Sequence, residues 1–403
     1  MIRSLRGMND ILAPDNARFE YFLQTATAVA KRYGFEYFEA PLLEETALFK
    51  RSVGESSDIV GKEMYQFTDK GENDVCLRPE GTAGVVRAFI QNKLDRKGGI
   101  HRFFYHGPMF RYERPQKGRL REFHQFGVES FGVASVYEDA SVIMMVADIL
   151  KALGITFKLK INSLGCQECM PPYRQKLIDF LDASAEQICE DCVRRKGTNP
   201  IRVLDCKNGS CQALYVEAPK LMHHLCGCCD DDFSILQKVL KENGIDFEID
   251  THLVRGLDYY SKTAFEFVSD EIGAQSAIAG GGRYDRLVEF LEGKPTPAVG
   301  FAIGIERLLE LIRMPEAARE GYYFGAMDAE ALATVMKAAQ TKRASERVII
   351  EYDPKGLKAH LKGADRVNAR YCAVIGENEL KDGTIWVKDL EEKTEAVISI
   401  DTL

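Results

Sequence analysis

The sequence predicts an α+β chain in three parts: a main domain of strands and helices, a mostly helical cysteine-rich module inserted into it, and a small α/β domain at the C-terminal end. Three observations predict this. Arg102 to Tyr112 and Arg121 to Phe131 alternate in character as strands do, on either side of a charged loop. Nine of the 11 cysteines fall between Cys166 and Cys229, where they interrupt the strand-and-helix pattern. From Tyr322 onward, short apolar runs alternate with helical stretches. The parts divide as residues 1–165 and 236–315 for the main domain, 166–235 for the module and 321–403 for the terminal domain.

In order along the chain, Asp15 to Tyr33 carries Phe19, Phe22, Leu23, Ala26, Val29, Ala30 and Tyr33 at helical spacing, and Gly34 follows as a C-terminal cap. A strand is expected around Phe35 to Leu43, broken by Pro41. The two strands of the charged loop enclose Glu113 to Leu120, with Pro115 and Gly118. Tyr137 to Leu153 reads as a helix ended by Gly154. After the module, Leu253 to Val268 is strand-like, Gly280 to Arg283 reads as a turn, and Val299 to Arg313 reads as strand, glycine, helix. Glu316 to Glu320 is a plausible linker. Tyr322 to Met327, Arg347 to Asp353 and Tyr371 to Gly376 read as strands of a largely parallel sheet, separated by two helices.

Composition bounds the function. Hydrophobic residues make up 45% of the chain and charged residues 28%, as in ordinary globular proteins. The net charge of −8 argues against coating nucleic acid by bulk attraction, although local basic clusters occur at Arg111 to Arg121 and Lys355 to Arg370. Such clusters are also what an ordinary solvated surface looks like. No apolar run is long enough to span a membrane, and Met1 to Pro14 lacks a signal core, so a cytoplasmic location is expected. An odd cysteine total agrees with a reducing compartment.

Five segments carry candidate chemistry. On the second strand of the charged loop, Phe123, Gln125, Gly127, Glu129 and Phe131 share a face, and Gly127 leaves a gap between an amide and a carboxylate. Arg111 and Glu113 share a face of the first strand. An arginine beside a basic loop suits phosphate or carboxylate; an edge ion pair is the plain alternative. In Leu77-Arg-Pro-Glu-Gly-Thr-Ala-Gly84, Gly81 allows close backbone approach beside Glu80 and Thr82, or Thr82 simply caps a helix. Leu253-Val-Arg-Gly-Leu-Asp-Tyr-Tyr260 delivers Arg255, able to neutralise a phosphate, and two tyrosines able to meet an aromatic nitrogen; packing and an Arg255–Asp258 ion pair are the alternative. Gly280-Gly-Gly-Arg-Tyr-Asp285 matches neither the dinucleotide fingerprint nor the P-loop. In Ala298 to Arg307, Gly300 and Gly304 would admit a planar base and Arg307 leaves the first turn of a helix, or the glycines serve tight packing.

The order and wording of these segments resemble class II aminoacyl-tRNA synthetases. Phe110-Arg-Tyr-Glu-Arg-Pro115 resembles motif 2, Gly300 to Arg307 resembles motif 3, and Tyr37 to Leu43 resembles the weaker motif 1, which forms the dimer interface in that class. Leu253 to Tyr260 is similar to a signature peculiar to histidyl-tRNA synthetases, and the likeness runs from Arg6-Gly-Met-Asn-Asp10 to the terminal domain. The resemblance implies an α+β class II catalytic domain, an antiparallel sheet flanked by helices, in place of any parallel sheet over the first 315 residues. It also implies an α/β anticodon-binding domain, a homodimer, ATP and L-histidine as substrates, Mg²⁺ on the phosphates, and tRNA(His) as partner.

It further implies roles. Glu80, Gly81 and Thr82, with Gln125, would surround the α-amino group. Glu129 and Tyr260 would read the imidazole and Tyr259 would line its pocket. Arg111 and Arg255 would act on the α-phosphate and carboxylate as the catalytic pair, and Arg307 and Arg119 would hold the outer phosphates. Gln116 and Arg121 would meet the acceptor end of the tRNA. A site that hydrogen-bonds both imidazole nitrogens rejects other amino acids by roughly 10⁴ or more without editing. Cys166-x-x-Cys169 and Cys189-x-x-Cys192 have zinc spacing, with Cys206, Cys211, Cys226, Cys228 and Cys229 as further candidates; buried free thiols are the alternative, so zinc is possible and the metal unknown. Cysteine-rich insertions of this kind resemble those of many bacterial family members, where they contact the acceptor arm. Three rivals stand beside the main reading: a synthetase for another amino acid, a pure tRNA-binding module, and a non-catalytic histidine-sensing relative. Relatives of that last kind lack the signature arginine, motif 3 and the terminal domain.

Overall fold

Phe22, Ala26, Val29 and Ala30 fall on one stripe of the opening helix, α1 (Asp15–Arg32), and all four are buried. Lys31 and Arg32 occupy its last turn, where cations complement the helix dipole, and Gly34 at φ 80° leads the chain away. The computed structural model describes every residue except 1, 55, 56, 58, 117, 207, 255–258, 273–276 and 317. The chain divides into two units, Met1–Arg313 and Met314–Leu403.

In the first unit α1 leads to β1 (Glu36–Tyr37), β2 (Leu43–Glu45), α2 (Thr46–Val53), β3 (Gln66–Thr68) and β4 (Asp74–Leu77). The strand expected around Phe35 to Leu43 and broken by Pro41 is two short pieces, β1 before the proline and β2 beginning at Leu43, because Pro41 cannot donate to a ladder. The helices α3 (Thr82–Gln91) and α4 (Leu94–Lys97) precede a long hairpin, β5 (His101–Phe110) and β6 (Glu122–Phe131), then α5 (Val136–Ala152) and β7 (Lys158–Ser163). The cysteine-rich stretch is helical, with α6 (Met170–Ala183), α7 (Glu190–Thr198), α8 (Gly209–Tyr215) and α9 (Gly227–Glu242). The unit closes with β8 (Glu248–Ile249), β9 (Ser261–Val268), β10 (Ala277–Arg283), α10 (Leu287–Phe290), β11 (Ala298–Gly304) and α11 (Ile305–Leu308).

Eight strands form the main sheet in the order β1-β5-β6-β11-β10-β9-β7-β8. All internal pairings are antiparallel, and only the two-residue edge strands β1 and β8 pair in parallel. This is the antiparallel sheet the resemblance implies. On one face α1, α5 and α9 pack Phe22, Ile143, Val146 and Leu236 against Phe104, Phe126 and Val128. On the other, α3 sets Val85, Val86 and Phe89 against Phe131, Tyr284 and Leu287, with Phe89 and Phe131 stacked at 4.3 Å. Successive β6 residues thus alternate between the two cores. One helix, α9, starts among the cysteines and ends by burying Leu236 and Leu240 in the main core.

The turn expected at Gly280 to Arg283 is instead the end of a central strand. Glycine serves close strand packing here: a Cβ on Gly281 would lie 2.2 Å from the Gly300 carbonyl and 2.6 Å from the Phe265 ring. Arg283 is fully buried and donates to Asp139 of α5 (Nε–Oδ1 2.9 Å) and to the Val133 carbonyl at 2.9 Å. Thr263 of β9 donates to the same aspartate at 2.5 Å, so one buried ion pair ties α5 to two strands.

The second unit contains β12 (Tyr322–Ala326), α12 (Leu332–Lys342), β13 (Val348–Ile350), α13 (Leu357–Arg366), β14 (Tyr371–Ile375), α14 (Glu377–Asp382), β15 (Thr384–Asp389) and β16 (Glu395–Ser399). Its sheet runs β13-β12-β14-β15-β16. The first three strands are parallel as expected, and β15 and β16 add an antiparallel hairpin that the sequence reading lacked. His360 is fully buried in this unit, 2.9 Å from the Ala326 carbonyl and 3.3 Å from the Tyr323 hydroxyl.

Candidate active site

The loop between β4 and α3 is built on a buried arginine. Arg78 donates to the carbonyls of Pro108 and Ala40, at 2.9 and 3.0 Å, and so holds Pro79 to Gly84 against the sheet. Glu80 follows, and its carboxylate accepts from the Thr82 and Ala83 amides at 2.7 and 2.8 Å. The first turn of α3 is thus satisfied by Glu80, not by Thr82 as a cap, because Thr82 is already helical. The Thr82 hydroxyl is free of that duty and donates to Glu129 Oε1 at 2.7 Å.

Glu129 lies on the site face of β6 and is 1% exposed. Its second oxygen accepts from Tyr284, and Tyr105 donates to the first at 3.1 Å. Burial pushes its carboxyl up to about 8; hydrogen bonds from Tyr284 and Thr82 oppose that rise, and the nearby Glu80 charge adds to it. Glu80 is likewise raised by burial. The gap expected over Gly127 does not exist. Tyr105 pairs with Gly127 across β5 and β6, and its ring fills that space: a Cβ on Gly127 would lie 2.4 Å from it, and one on Gly81 2.2 Å. Gly300 is also reassigned. A Cβ there would lie 2.0 Å from Glu129 Oε2, so this glycine houses a carboxylate rather than admitting a base.

Above this layer opens a cavity of about 240 Å³. Glu80, Thr82, Arg111, Arg119, Gln125, Tyr259, Tyr260 and Arg307, all singled out in the sequence, line it together. Glu129 stands behind the wall, and Gly81, Gln116 and Arg121 are not among the lining residues. Arg255 and Asp258 lie outside the described residues. Two buried polar atoms of the wall, Gln125 Oε1 and Tyr259 Oη, have no hydrogen-bond partner among the described residues. The Tyr259 and Tyr260 rings lie 4.7 Å apart.

Three of the lining residues are arginines that lie near one another. Arg111 is anchored by its Nε on the Pro79 carbonyl at 2.8 Å and lies over the Phe123 ring at 5.1 Å. Arg307 donates to the carbonyls of Gly118 and Ala277, at 3.1 and 2.7 Å. Arg119 pairs with Glu113 at 3.1 Å. Burial lowers the pKa of Arg307, and the like charges of Arg119 and Arg111 lower it further, as convergence of three guanidiniums requires. Glu306 lines the same region and accepts from the His124 amide at 2.9 Å. In the charged loop Gln116 and Arg119 exchange backbone bonds at 3.0 and 2.9 Å. Arg121 stacks on Tyr112 at 3.8 Å.

Tyr105 and Tyr284, the tyrosines that hold Glu129, were missed by sequence reasoning. Tyr284 sits in a quoted glycine-rich segment, but its role depends on cross-strand packing. The arrangement brings residues with unmet hydrogen-bonding atoms and anion-binding guanidiniums to one cavity, as an amino acid and a polyphosphate would need.

A family model described as Histidyl-tRNA synthetase matches residues 7–308, and one described as Anticodon binding domain matches residues 324–403. A histidine–tRNA ligase of Sulfurimonas denitrificans is 74% identical over 398 residues, 99% of each chain. One from Campylobacter jejuni subsp. jejuni serotype O:23/36 is 59% identical over 405 residues, covering 100% of this chain and 99% of its own. The solved structure of apo S. aureus histidyl-tRNA synthetase superposes with a TM-score of 0.83 at 32% identity, covering 100% of this chain and 98% of that one. No helix among the described residues is long and apolar enough to cross a membrane.

Proposed function

The chain belongs to the histidyl-tRNA synthetase family and ligates histidine to tRNA, and we propose that the cavity described above is where its reaction occurs and that its lining residues divide the work as follows. Gln125 and Glu80, with Thr82, surround the α-amino group of L-histidine, and Gly81 joins Glu80 and Thr82 against the Tyr105 ring. Tyr259 lines the side-chain pocket, Tyr260 meets the imidazole, and Glu129 acts on it from behind the wall through the Thr82 hydroxyl, which it holds. Arg111 holds the carboxylate and the α-phosphate, and Arg307 and Arg119 hold the outer phosphates of ATP.

The observation that carries this reading is one cavity lined both by three arginines and by Gln125 and Tyr259, each of which buries a polar atom with no hydrogen-bond partner among the described residues. ATP enters with Mg²⁺ as part of the substrate, and Glu266 and Glu306 are two of the four glutamates whose hard oxygen donors line the cavity, beside Glu80 and Glu113. The carboxylate oxygen of histidine attacks the α-phosphorus in line, the bond to the leaving pyrophosphate breaks, and the adenylate forms. The ribose hydroxyl of the terminal adenosine of tRNA(His) then attacks the adenylate carbonyl and releases AMP. Guanidiniums fixed by backbone carbonyls need no reorganisation as charge builds on phosphorus, and positioning supplies the rest. Arg255 is assigned to the α-phosphate on the resemblance alone.

For the remaining assignments, Gln116 and Arg121 of the hairpin are placed at the acceptor end of the tRNA. Lys358 and Lys362, exposed one turn apart on α13, suit the anticodon stem. The exposed apolar side chains of Tyr37, Leu42 and Leu43 suit a homodimer interface. The enzyme works in the cytoplasm. Exchange of labelled pyrophosphate into ATP, run with each of the twenty amino acids, tests the reading. Exchange with histidine alone is expected; exchange with another amino acid, or with none, overturns it.

A further inference from the structure

Outside the active site, the densest unexplained chemistry is in the inserted module. Eight of its cysteines gather into two groups of four. Cys166, Cys169, Cys226 and Cys229 form one and Cys189, Cys192, Cys206 and Cys211 the other, and within each group the sulfurs all lie within 4.8 Å of one another. Cys228 is exposed and belongs to neither, and Cys76 and Cys372 are buried elsewhere in the fold.

The spacing discriminates between chemistries. Cys166 Sγ lies 3.8 Å from Cys169 Sγ and 3.7 Å from Cys226 Sγ, and Cys189 Sγ lies 3.7 Å from Cys206 Sγ. Disulfide sulfurs sit about 2.05 Å apart, so these are not bonded pairs. A tetrahedron built on zinc–sulfur bonds of about 2.3 Å has edges of about 3.8 Å. An iron–sulfur cluster would spread its cysteines wider. Cysteines serving only as small apolar side chains would scatter through a core instead of meeting sulfur to sulfur in fours.

Local structure favours thiolates at these positions. The pairs Cys166/Cys169, Cys189/Cys192 and Cys226/Cys229 are each C-x-x-C, and Cys206/Cys211 is C-x4-C, all within the range of structural zinc ligands. Cys169, Cys189 and Cys226 stand at the N-termini of α6, α7 and α9, where the helix dipole favours negative charge. Backbone amides are aimed at sulfur: Cys226 N to Cys169 Sγ at 3.1 Å, Cys189 N to Cys211 Sγ at 3.2 Å, and Asn208 N to Cys206 Sγ at 3.4 Å. Gly165, at φ 63°, clears the approach to the first group; a Cβ there would lie 2.6 Å from the Cys169 Cβ.

We propose that the module is held by two tetrahedral zinc ions, one on Cys166, Cys169, Cys226 and Cys229 and the other on Cys189, Cys192, Cys206 and Cys211. Each Zn²⁺ binds four thiolates and displaces their protons to solvent. The second ion cross-links α7 to the start of α8 inside the module. The first closes its neck, joining the chain after β7 to the start of α9. That neck is hydrogen-bonded to the active-site sheet, since Lys262 N donates to the Gly165 carbonyl at 2.7 Å and Leu164 N to the Lys262 carbonyl at 2.5 Å. Lys262 lies two residues beyond Tyr260, so the first ion braces the segment that carries the tyrosines.

The test is metal analysis of untagged protein purified without chelator from zinc-supplemented medium. Two zinc ions per chain are expected. The paired substitutions Cys226→Ser with Cys229→Ser, and Cys206→Ser with Cys211→Ser, each lower this to one, and Cys228→Ser leaves two. If a paired variant fails to fold, titrating the intact protein with a mercurial reagent in the presence of a zinc dye reads the same quantity, with two zinc ions released as the eight grouped thiols react and none released by the exposed Cys228. Any other stoichiometry overturns the proposal, as does iron bound in place of zinc, or folded protein whose thiols all react with no zinc released.

Discussion

Gly300 and Glu129 occupy one space: a methyl group on Gly300 would stand 2.0 Å from Glu129 Oε2 and 2.3 Å from the Val128 carbonyl. The carboxylate cannot retreat, because Tyr284, Thr82 and Tyr105 hold it. Gly300→Ala should therefore lower the melting temperature by several degrees and cut histidine-dependent exchange by about 10²-fold or more, since strain in a packed core costs about 1–3 kcal/mol before any loss of function. Gly304→Ala is the control. Its Cβ would meet only the Arg307 side chain at 3.8 Å, so its melting temperature should match the parent's. Equal losses in both would refute the account.

Stability should depend on pH through Glu129. Burial raises its carboxyl from the ordinary 4.5 to about 8. Below about pH 4.5 the folded and unfolded chains both carry the proton, and the group costs nothing. Between 4.5 and 8 only the unfolded chain releases it, so stability falls as pH rises, and above 8 the whole cost is present. Glu129→Gln, which keeps an acceptor for the hydroxyls, should flatten this dependence. Urea midpoints of both proteins at pH 5 and pH 8 check it; identical slopes would exclude Glu129 as the source.

Arg307→Ala should raise KM for ATP and slow adenylate formation by about 10²-fold, the scale for losing one preorganised charge-stabilising donor. Its anchors, the Gly118 and Ala277 carbonyls, sit in the cavity rim, so the fold should survive, as circular dichroism would show. Arg255→Ala is expected to slow adenylate formation by about 10²-fold with little change in KM for histidine. Turnover equal to the parent's would remove either arginine from the mechanism.

Asp139→Asn should destabilise the first unit by about 3 kcal/mol in urea unfolding, because it leaves the buried Arg283 guanidinium with Asp285 alone as its charge partner. The double change Asp139→Asn with Arg283→Met should recover part of that loss. A double variant as unstable as the two single losses combined would contradict the pairing.

Much of the site was legible because it follows from local periodicity. Gln125 was placed on the site face by simple alternation along one strand, and Arg111 and Arg307 stood out as charges leaving structured elements. What stayed hidden depends on register between distant strands. Tyr105 meets Gly127 only because β5 and β6 pair as they do, and nothing near either residue announces it. The glycines at 280–282 suggested a turn because glycine permits one, whereas here they let Phe265 and the Gly300 carbonyl come close. Glu80 took the capping role expected of Thr82, since a carboxylate two residues before the helix can reach two amides where a hydroxyl reaches one. In the module, sequence spacing flagged two cysteine pairs, but which of the remaining thiols completed each set was decided only by three-dimensional proximity.

The ring of Tyr105 is wedged where two side chains are missing, one from β6 and one from the loop before α3. These three positions therefore cannot drift one at a time. A larger residue at 81 or 127 is barred while the phenol is present, and a smaller residue at 105 would leave a hole beneath the substrate floor and remove one hydroxyl from Glu129. Lineages can change this floor only by concerted replacement, which makes the trio a better marker of a working site than any of its members alone.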